Sequence, residues 1–154
     1  HIIFKIENTA VITRRLEGDF LNYKNSIPKM NKYDIVVNKS ELLATLNRVS
    51  IVIKEKDSSP IKMVFAENHI LCNCVTPVGK AEDVCFCEGS AENMNIGFND
   101  KYITDAIKNA NCENIVLRMS SPSSPCIIQA AGEESKFTYM ILPVRLRNWL
   151  IGMR

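Results

Sequence analysis

The strongest constraint on the fold of this chain is an internal duplication. Tyr33-Asp34-Ile35-Val36-Val37 reads as a strand. Asn38 then caps a helix whose Leu42, Leu43, Leu46, Val49 and Ile53 form an apolar stripe at helical period. Asn38 with Glu41 three residues on has the pattern of a capping box, which satisfies free backbone N–H groups at a helix start. The pattern returns 61 residues later: Met94-Asn95-Ile96-Gly97-Phe98 is a strand, and Asn99 caps a helix carrying Ile103, Ile107 and Ala110. The shift places Asn38 on Asn99, Leu42 on Ile103, Leu46 on Ile107 and Val49 on Ala110. Each helix leads into three strand-like runs. The first set is Ile61–Phe65, Ile70–Cys72 and Val84–Cys87; the second is Asn114–Leu117, Cys126–Ile128 and Phe137–Leu142. The turn-like stretches Ala66–His69 and Ser120–Pro125 occupy equivalent places.

Two β-α-β-β-β units, roughly 33–146, therefore predict an α+β domain. Two such units pairing edge to edge give two antiparallel sheets outside and two helices side by side on the inner face. Each helix turns its stripe to the sheets and leaves the opposite face free. That face carries Ser40, Ala44 and Arg48 on the first helix, and Lys101, Asp105, Lys108 and Asn109 on the second. Such a polar face with a few cations reads as a solvated surface on charge alone. A surface that slides along DNA is the other reading, because tight phosphate binding takes many more Lys and Arg. Before the duplication, Ile2, Phe4 and Ile6 alternate with polar residues, and Val11-Ile12-Thr13 follows the turn-like Glu7-Asn8-Thr9. A loop with Gly18 and Asp19 then runs to Ile27-Pro28, and the polar Lys29-Met30-Asn31-Lys32 marks a domain boundary. The expected organisation is 1–30 as the end of a preceding domain, 31–146 as one complete domain, and 147–154 as an extension. A chain that opens on His1 inside a strand suggests a shortened or proteolysed protein.

Composition narrows the function classes. A net charge of +2 does not by itself mark a nucleic-acid binder. Apolar runs of about five residues fall far short of the ~20 that span a bilayer, and no secretory signal opens the chain, so a cytoplasmic protein with no membrane partner is expected. Six cysteines allow two readings. Cys72-x-Cys74 and Cys85-x-Cys87 could gather four thiolates around zinc. Alternation within strands instead puts each pair on one face as small core hydrophobes, with Cys112 and Cys126 as isolated free thiols. The two histidines, His1 and His69, have no Ser or Cys partner pattern, and no phosphate-cradling glycine loop or His-Glu-x-x-His occurs. Glu82-Asp83 and Glu133-Glu134 are neighbours in extended chain and point apart, a poor geometry for acid–base work. No enzyme, cofactor or metal is expected.

Three segments carry a family resemblance. Arg15-Leu16-Glu17-Gly18-Asp19-Phe20-Leu21-Asn22-Tyr23 with Ile27-Pro28, Ile96-Gly97-Phe98-Asn99 with Tyr102, and Tyr139-Met140-Ile141-Leu142-Pro143-Val144-Arg145-Leu146 resemble, in order and spacing, segments of the bacterial DNA polymerase III beta subunit, the beta sliding clamp. The resemblance covers 1–146. It implies a DNA-clamp fold and a processivity factor. In that family a homodimeric ring encircles duplex DNA without sequence preference. It tethers the polymerase III catalytic subunit, the clamp loader and other proteins bearing a clamp-binding peptide motif.

By position, the resemblance implies a partner-peptide pocket from Asn99, Tyr102, Pro125, Met140, Leu142, Pro143, Val144 and Arg145, with Leu21, Asn25 and Ser26 on the connecting loop. It implies a DNA-facing set of Arg48, Lys101 and Lys108. The implied subunit interface is near Val52 and Ile53 and the edge around Ala81–Cys87, with Glu82 and Asp83 as ion-pair partners; plain core packing is the alternative for the two apolar residues. The chain departs from the family at Leu21, where Pro is usual, at Asn25 and Ser26, where Arg and an apolar residue are usual, and near Ser58, where some members have an aromatic. Eight residues follow Leu146, an extension just past the pocket in sequence that would shield it or pack nearby, with Trp149 as the residue to watch. The competing readings are a peptide-binding adaptor that forms no ring, and a zinc or thiol enzyme built on the C-x-C pairs.

Overall fold

A computed structural model describes residues 1–54, 59–91, 94–132 and 135–146. Ser58, Glu133, Glu134 and the extension with Trp149 lie outside the described residues. The chain opens with an antiparallel hairpin, β1 (Ile2–Ile6) and β2 (Thr9–Thr13), closed at Glu7, which takes a φ of 50°. Ile2, Phe4, Ile6, Val11 and Ile12 are all exposed. A two-stranded ribbon with uncovered apolar side chains is marginal by itself. The loop that follows contains one short helix, α1 (Tyr23–Ser26), where the sequence predicts only turns.

The duplicated region follows as β3 (Tyr33–Asn38), α2 (Lys39–Val49), β4 (Ile61–Ala66), β5 (His69–Thr76) and β6 (Gly79–Phe86). It repeats as β7 (Met94–Phe98), α3 (Asp100–Asn109), β8 (Asn114–Met119), β9 (Cys126–Ala130) and β10 (Tyr139–Ile141). The sheet orders are β10-β9-β8-β3 and β6-β5-β4-β7, so each unit lends its first strand to the other unit's sheet. The exchange has a physical cause: each helix crosses from the end of its first strand and delivers the chain to the opposite sheet. Tyr33–Asn38 therefore pairs with Asn114–Met119, and Met94–Phe98 with Ile61–Phe65. The sheets meet again at two corners. Val36 bonds Glu88 just past β6 (2.9 and 2.8 Å), and Val144, just past β10, donates to the Gly97 carbonyl at 2.7 Å. Since Val36 and Gly97 correspond under the duplication, the two corners are equivalent places.

Both caps form. Asn38 Oδ1 accepts from the backbone N–H of Ser40 (3.0 Å) and Glu41 (3.1 Å), and Asn99 Oδ1 accepts from Tyr102 N–H (3.2 Å). The Glu41 carboxylate does not reach back to complete a box; it lines an open groove instead. Leu42, Thr45, Leu46 and Val49 are buried under one sheet, matched position for position by Ile103, Ala106, Ile107 and Ala110. Ile53 is not on the helical stripe. The α-helix stops at Val49, a tight turn covers Ser50–Val52, and Ile53 N–H bonds the Ser50 carbonyl at 2.8 Å. No helix among the described residues is long and apolar enough to cross a membrane.

Candidate functional site

The corner where the tail crosses β7 gathers most of the residues expected to hold a peptide. Antiparallel pairing sets Ile141 opposite Cys126, which brings Leu142 beside Pro125. One bond later, Val144 N–H reaches the Gly97 carbonyl, two residues before Asn99 and the first turn of α3. Gly97 permits this approach: a Cβ there would sit 2.7 Å from both the Val144 carbonyl oxygen and a Leu146 methyl. The tail from Leu142 through Val144 is thus drawn to the strand that leads into α3, while Met140 pairs with Ile127 further back on β10. Tyr102 (63% exposed) and Leu142 (64% exposed) offer uncovered apolar surface. Asn99 spends its oxygen on the cap, and among the described residues its Nδ2 and the exposed Arg145 guanidinium have no hydrogen-bond partner or ion pair. Apolar walls with a few orienting donors are the usual make-up of a peptide pocket. Leu21, Asn25 and Ser26 are exposed, and the backbone hydrogen bonds of their segment are local. Among the described residues no hydrogen bond joins these three to the corner.

The cations of the helix face are not alike. Lys101 and Lys108 are exposed and in no ion pair among the described residues. Arg48 is held by its own chain: Nε meets Asp83 Oδ2 at 2.6 Å, and Nη2 donates to Thr45 Oγ1 at 3.2 Å. The Arg48 guanidinium, followed by the Val84 N–H, holds the Asp83 carboxyl below its ordinary pKa. A residue expected to face DNA and one expected at a subunit interface are therefore partners of each other. Glu82 pairs with Lys80 at 3.0 Å on the same strand.

Near the expected interface, Val52 and Ile53 are half-buried and pack against the core, the alternative left open by the sequence. Thr76 Oγ1 also donates to the Val52 carbonyl at 3.2 Å. The exposed apolar residue of that turn is Ile51, at 79%. It lies off the helical stripe, and that mismatch was the signal for it. Likewise, a lone glycine inside a strand pattern marks close backbone approach, the signal that singles out Gly97.

The cysteines resolve into packing. Cys72 and Cys74 alternate inward along β5 and are buried with Cys85 and Cys126. Burial pushes the thiols of Cys72 and Cys126 up to about 12 and that of Cys85 to about 11, the last raised further by the nearby Glu41. Thiolates, the form that attacks or ligates, are thereby disfavoured. Among the described residues no group of three or more His, Cys, Asp and Glu is placed to hold a metal ion.

Residues 24–145 match the family model described as DNA polymerase III beta subunit, C-terminal domain. A beta sliding clamp from Synechococcus elongatus is 26% identical over 148 residues, covering 95% of this chain and 39% of the relative. A crystal structure from Eubacterium rectale, assigned as a DNA polymerase III beta subunit, superposes with a TM-score of 0.82 at 30% identity, over 92% of this chain and 38% of that one. The Thermotoga maritima DNA polymerase III beta subunit gives 0.81 at 27% identity, over 94% and 39%. The chain thus spans about two-fifths of the length of the relatives it matches. With a matching family model across most of its length, the duplicated clamp fold and the tail-over-strand corner, the chain belongs to the DNA polymerase III beta subunit, or beta sliding clamp, family.

Proposed function

We propose that this chain acts as part of a DNA polymerase processivity factor: a clamp that encircles duplex DNA and tethers the polymerase catalytic subunit, the clamp loader and other motif-bearing proteins through the corner pocket. The observation that supports the reading is the Val144–Gly97 crossing, which ties the tail carrying the uncovered Leu142 to the strand that leads into α3, where Tyr102 is also uncovered. On this reading residues 31–146 form one clamp domain in a cytoplasmic ring of two protomers. Residues 1–30 are the end of the domain before it, which accounts for the uncovered apolar side chains of the hairpin. Lys101 and Lys108 on α3, with Arg48 on α2, face the DNA. A sparse set of cations suits sliding, since each phosphate neutralised adds affinity that must be broken at every step. The free edge of β6, where its sheet ends, with Glu82 and Ile51 nearby, is the subunit seam. The clamp performs no chemistry itself.

The test uses the full-length protein loaded on circular DNA. Retention on the circle and loss on linearisation are expected; retention on linear DNA, or a monomer throughout, would leave only a ring-free adaptor. Within the pocket, Leu142→Ala or Tyr102→Ala should weaken a polymerase-tail peptide by about 1 kcal/mol or more, as at a buried anchor. Calorimetry showing unchanged affinity would refute the pocket.

A further inference from the structure

We propose that the corner between β3, the start of α2 and the end of β6 is a second docking site, for an extended peptide segment carrying a basic side chain beside an apolar one. A groove of about 390 Å³ opens there, lined among others by Val36, Asn38, Glu41, Phe86, Cys87 and Glu88. That volume lies within the range of roughly 300–1,000 Å³ typical of ligand pockets. Under the internal duplication its residues fall on those of the proposed peptide pocket. Asn38 corresponds to Asn99 and Glu41 to Tyr102. The equivalent closing bridges put Glu88 on Val144, and therefore Cys87 on Pro143 and Phe86 on Leu142. The proposal rests on the pocket reading only through this correspondence; the charge of the groove is an independent observation.

That charge differs from its counterpart. Glu41 and Glu88 replace Tyr102 and Val144, and neither carboxylate is in an ion pair among the described residues. The cation closest in sequence, Lys39, donates to the Ala110 carbonyl at 2.6 Å and is spent elsewhere. Phe86, the last residue of β6 and so at the end of the proposed subunit seam, stands at the rim, 75% exposed in this chain. Two unpaired carboxylates repel nucleic acid and other anions, and among the described residues no third ligand turns them into a metal site. An aromatic rim beside two acids favours an Arg or Lys flanked by an apolar residue, received in the open groove beside the Val36–Glu88 bridge.

The experiment titrates the 154-residue chain, labelled with nitrogen-15, with the peptide acetyl-Leu-Arg-Leu-Phe-amide. Saturating amide shifts at Glu41, Cys87 and Glu88 are expected. Glu88→Lys and the milder Glu41→Gln should each weaken these by about tenfold or more while leaving shifts at Tyr102 and Val144 in place, and exchanging the peptide's Arg for Glu should do the same. Shifts confined to Tyr102 and Val144 would overturn the second site and leave the pocket reading standing. Shifts at neither corner would overturn this proposal as well as weaken the pocket. Groove shifts that appear on concentrating the chain without peptide would assign the groove to a second copy and overturn it too.

Discussion

The two corners of the domain are built on one plan and finished differently. In each, the chain leaving the last strand of a unit hydrogen-bonds the edge of that unit's own first strand, which sits in the other sheet. At one corner the contact is Val36 with Glu88, and the chain then turns away at Gly89, whose φ is 106°. At the other it is Gly97 with Val144, and the tail continues across the strand so that Leu146 lies against Gly97. One corner presents Glu41, Phe86 and Glu88, the other Tyr102, Leu142 and Val144. Duplication supplied the same backbone corner twice, and side-chain replacement made one acidic and one apolar. The backbone plan places a site, while the residues on it decide what it accepts.

The exchange of strands binds the two halves into one cooperative unit, and core truncation tests this most severely. Leu46→Ala under α2 and Ile107→Ala under α3 remove side chains with no exposed surface. Each should cost about 2–5 kcal/mol. Both variants should still melt in a single transition in calorimetry, the two-state behaviour of a small domain. Two separate transitions, one moved by each variant, would break the argument that the halves share their sheets.

A smaller effect separates the corners. Gly97→Ala places a Cβ against the Val144 carbonyl and Leu146, and overpacking of this kind costs about 1–3 kcal/mol. Because the displaced segment carries Leu142 and Val144, affinity for a polymerase-tail peptide should fall with it. Gly89→Ala meets the Asp34 carbonyl at 2.8 Å and holds a left-handed φ, so a similar loss of stability is expected there with peptide affinity unchanged. Chemical denaturation and calorimetric titration of both variants give the comparison. Equal loss of peptide affinity in the two would show that the corners are not independent.

Much of this fold was legible because burial follows period. The stripe Leu42, Leu46, Val49 and its repeat Ile103, Ile107, Ala110 are core in the structure. Alternation also placed Cys72 and Cys74 inward, where both are buried. Strand exchange was not legible, since a period reports which face of a strand is buried and not which strand lies beside it. Ile53 sits at helical spacing from Val49, yet the Ser50 turn intervenes, because spacing alone does not register a helix end. The pairing of Arg48 with Asp83 spans 35 residues and joins a helix to a strand, a contact that only the tertiary fold creates. Of the site, the segments assigned to the proposed pocket come from the resemblance, and the structure shows that two of them meet at the Val144–Gly97 bridge. The reason for Gly97 lies in the tail that crosses it, and the groove beside Glu88 lies in a bridge between two sheets; both are long-range contacts that no local pattern records.

That ion pair has a counterpart that extends the comparison beyond the corners. Arg48 corresponds to Asn109, and Asp83 on β6 falls at the place of Tyr139 on β10. In the second unit the Tyr139 hydroxyl donates to the Asn109 carbonyl at 3.2 Å. Both units therefore tie the end of the helix to the last strand at the same place, one through charges and one through a neutral hydrogen bond. Tyr139→Phe should cost about 0.5–1.5 kcal/mol, largely independent of acid pH. The coupling between Arg48 and Asp83, from a double-mutant cycle, should be weaker at neutral pH, about 0.2–1 kcal/mol, because the Arg48 side chain is 58% exposed and salt screens the pair. Its sign with pH is fixed by the lowered carboxyl pKa. An aspartate depressed in the folded state contributes above its unfolded value, near ~3.9, and the contribution disappears as the pH drops through the folded value. A coupling that survives unchanged in strong acid would mean that Arg48 acts through Thr45 and packing, and that the two ties differ less in kind than their chemistry implies.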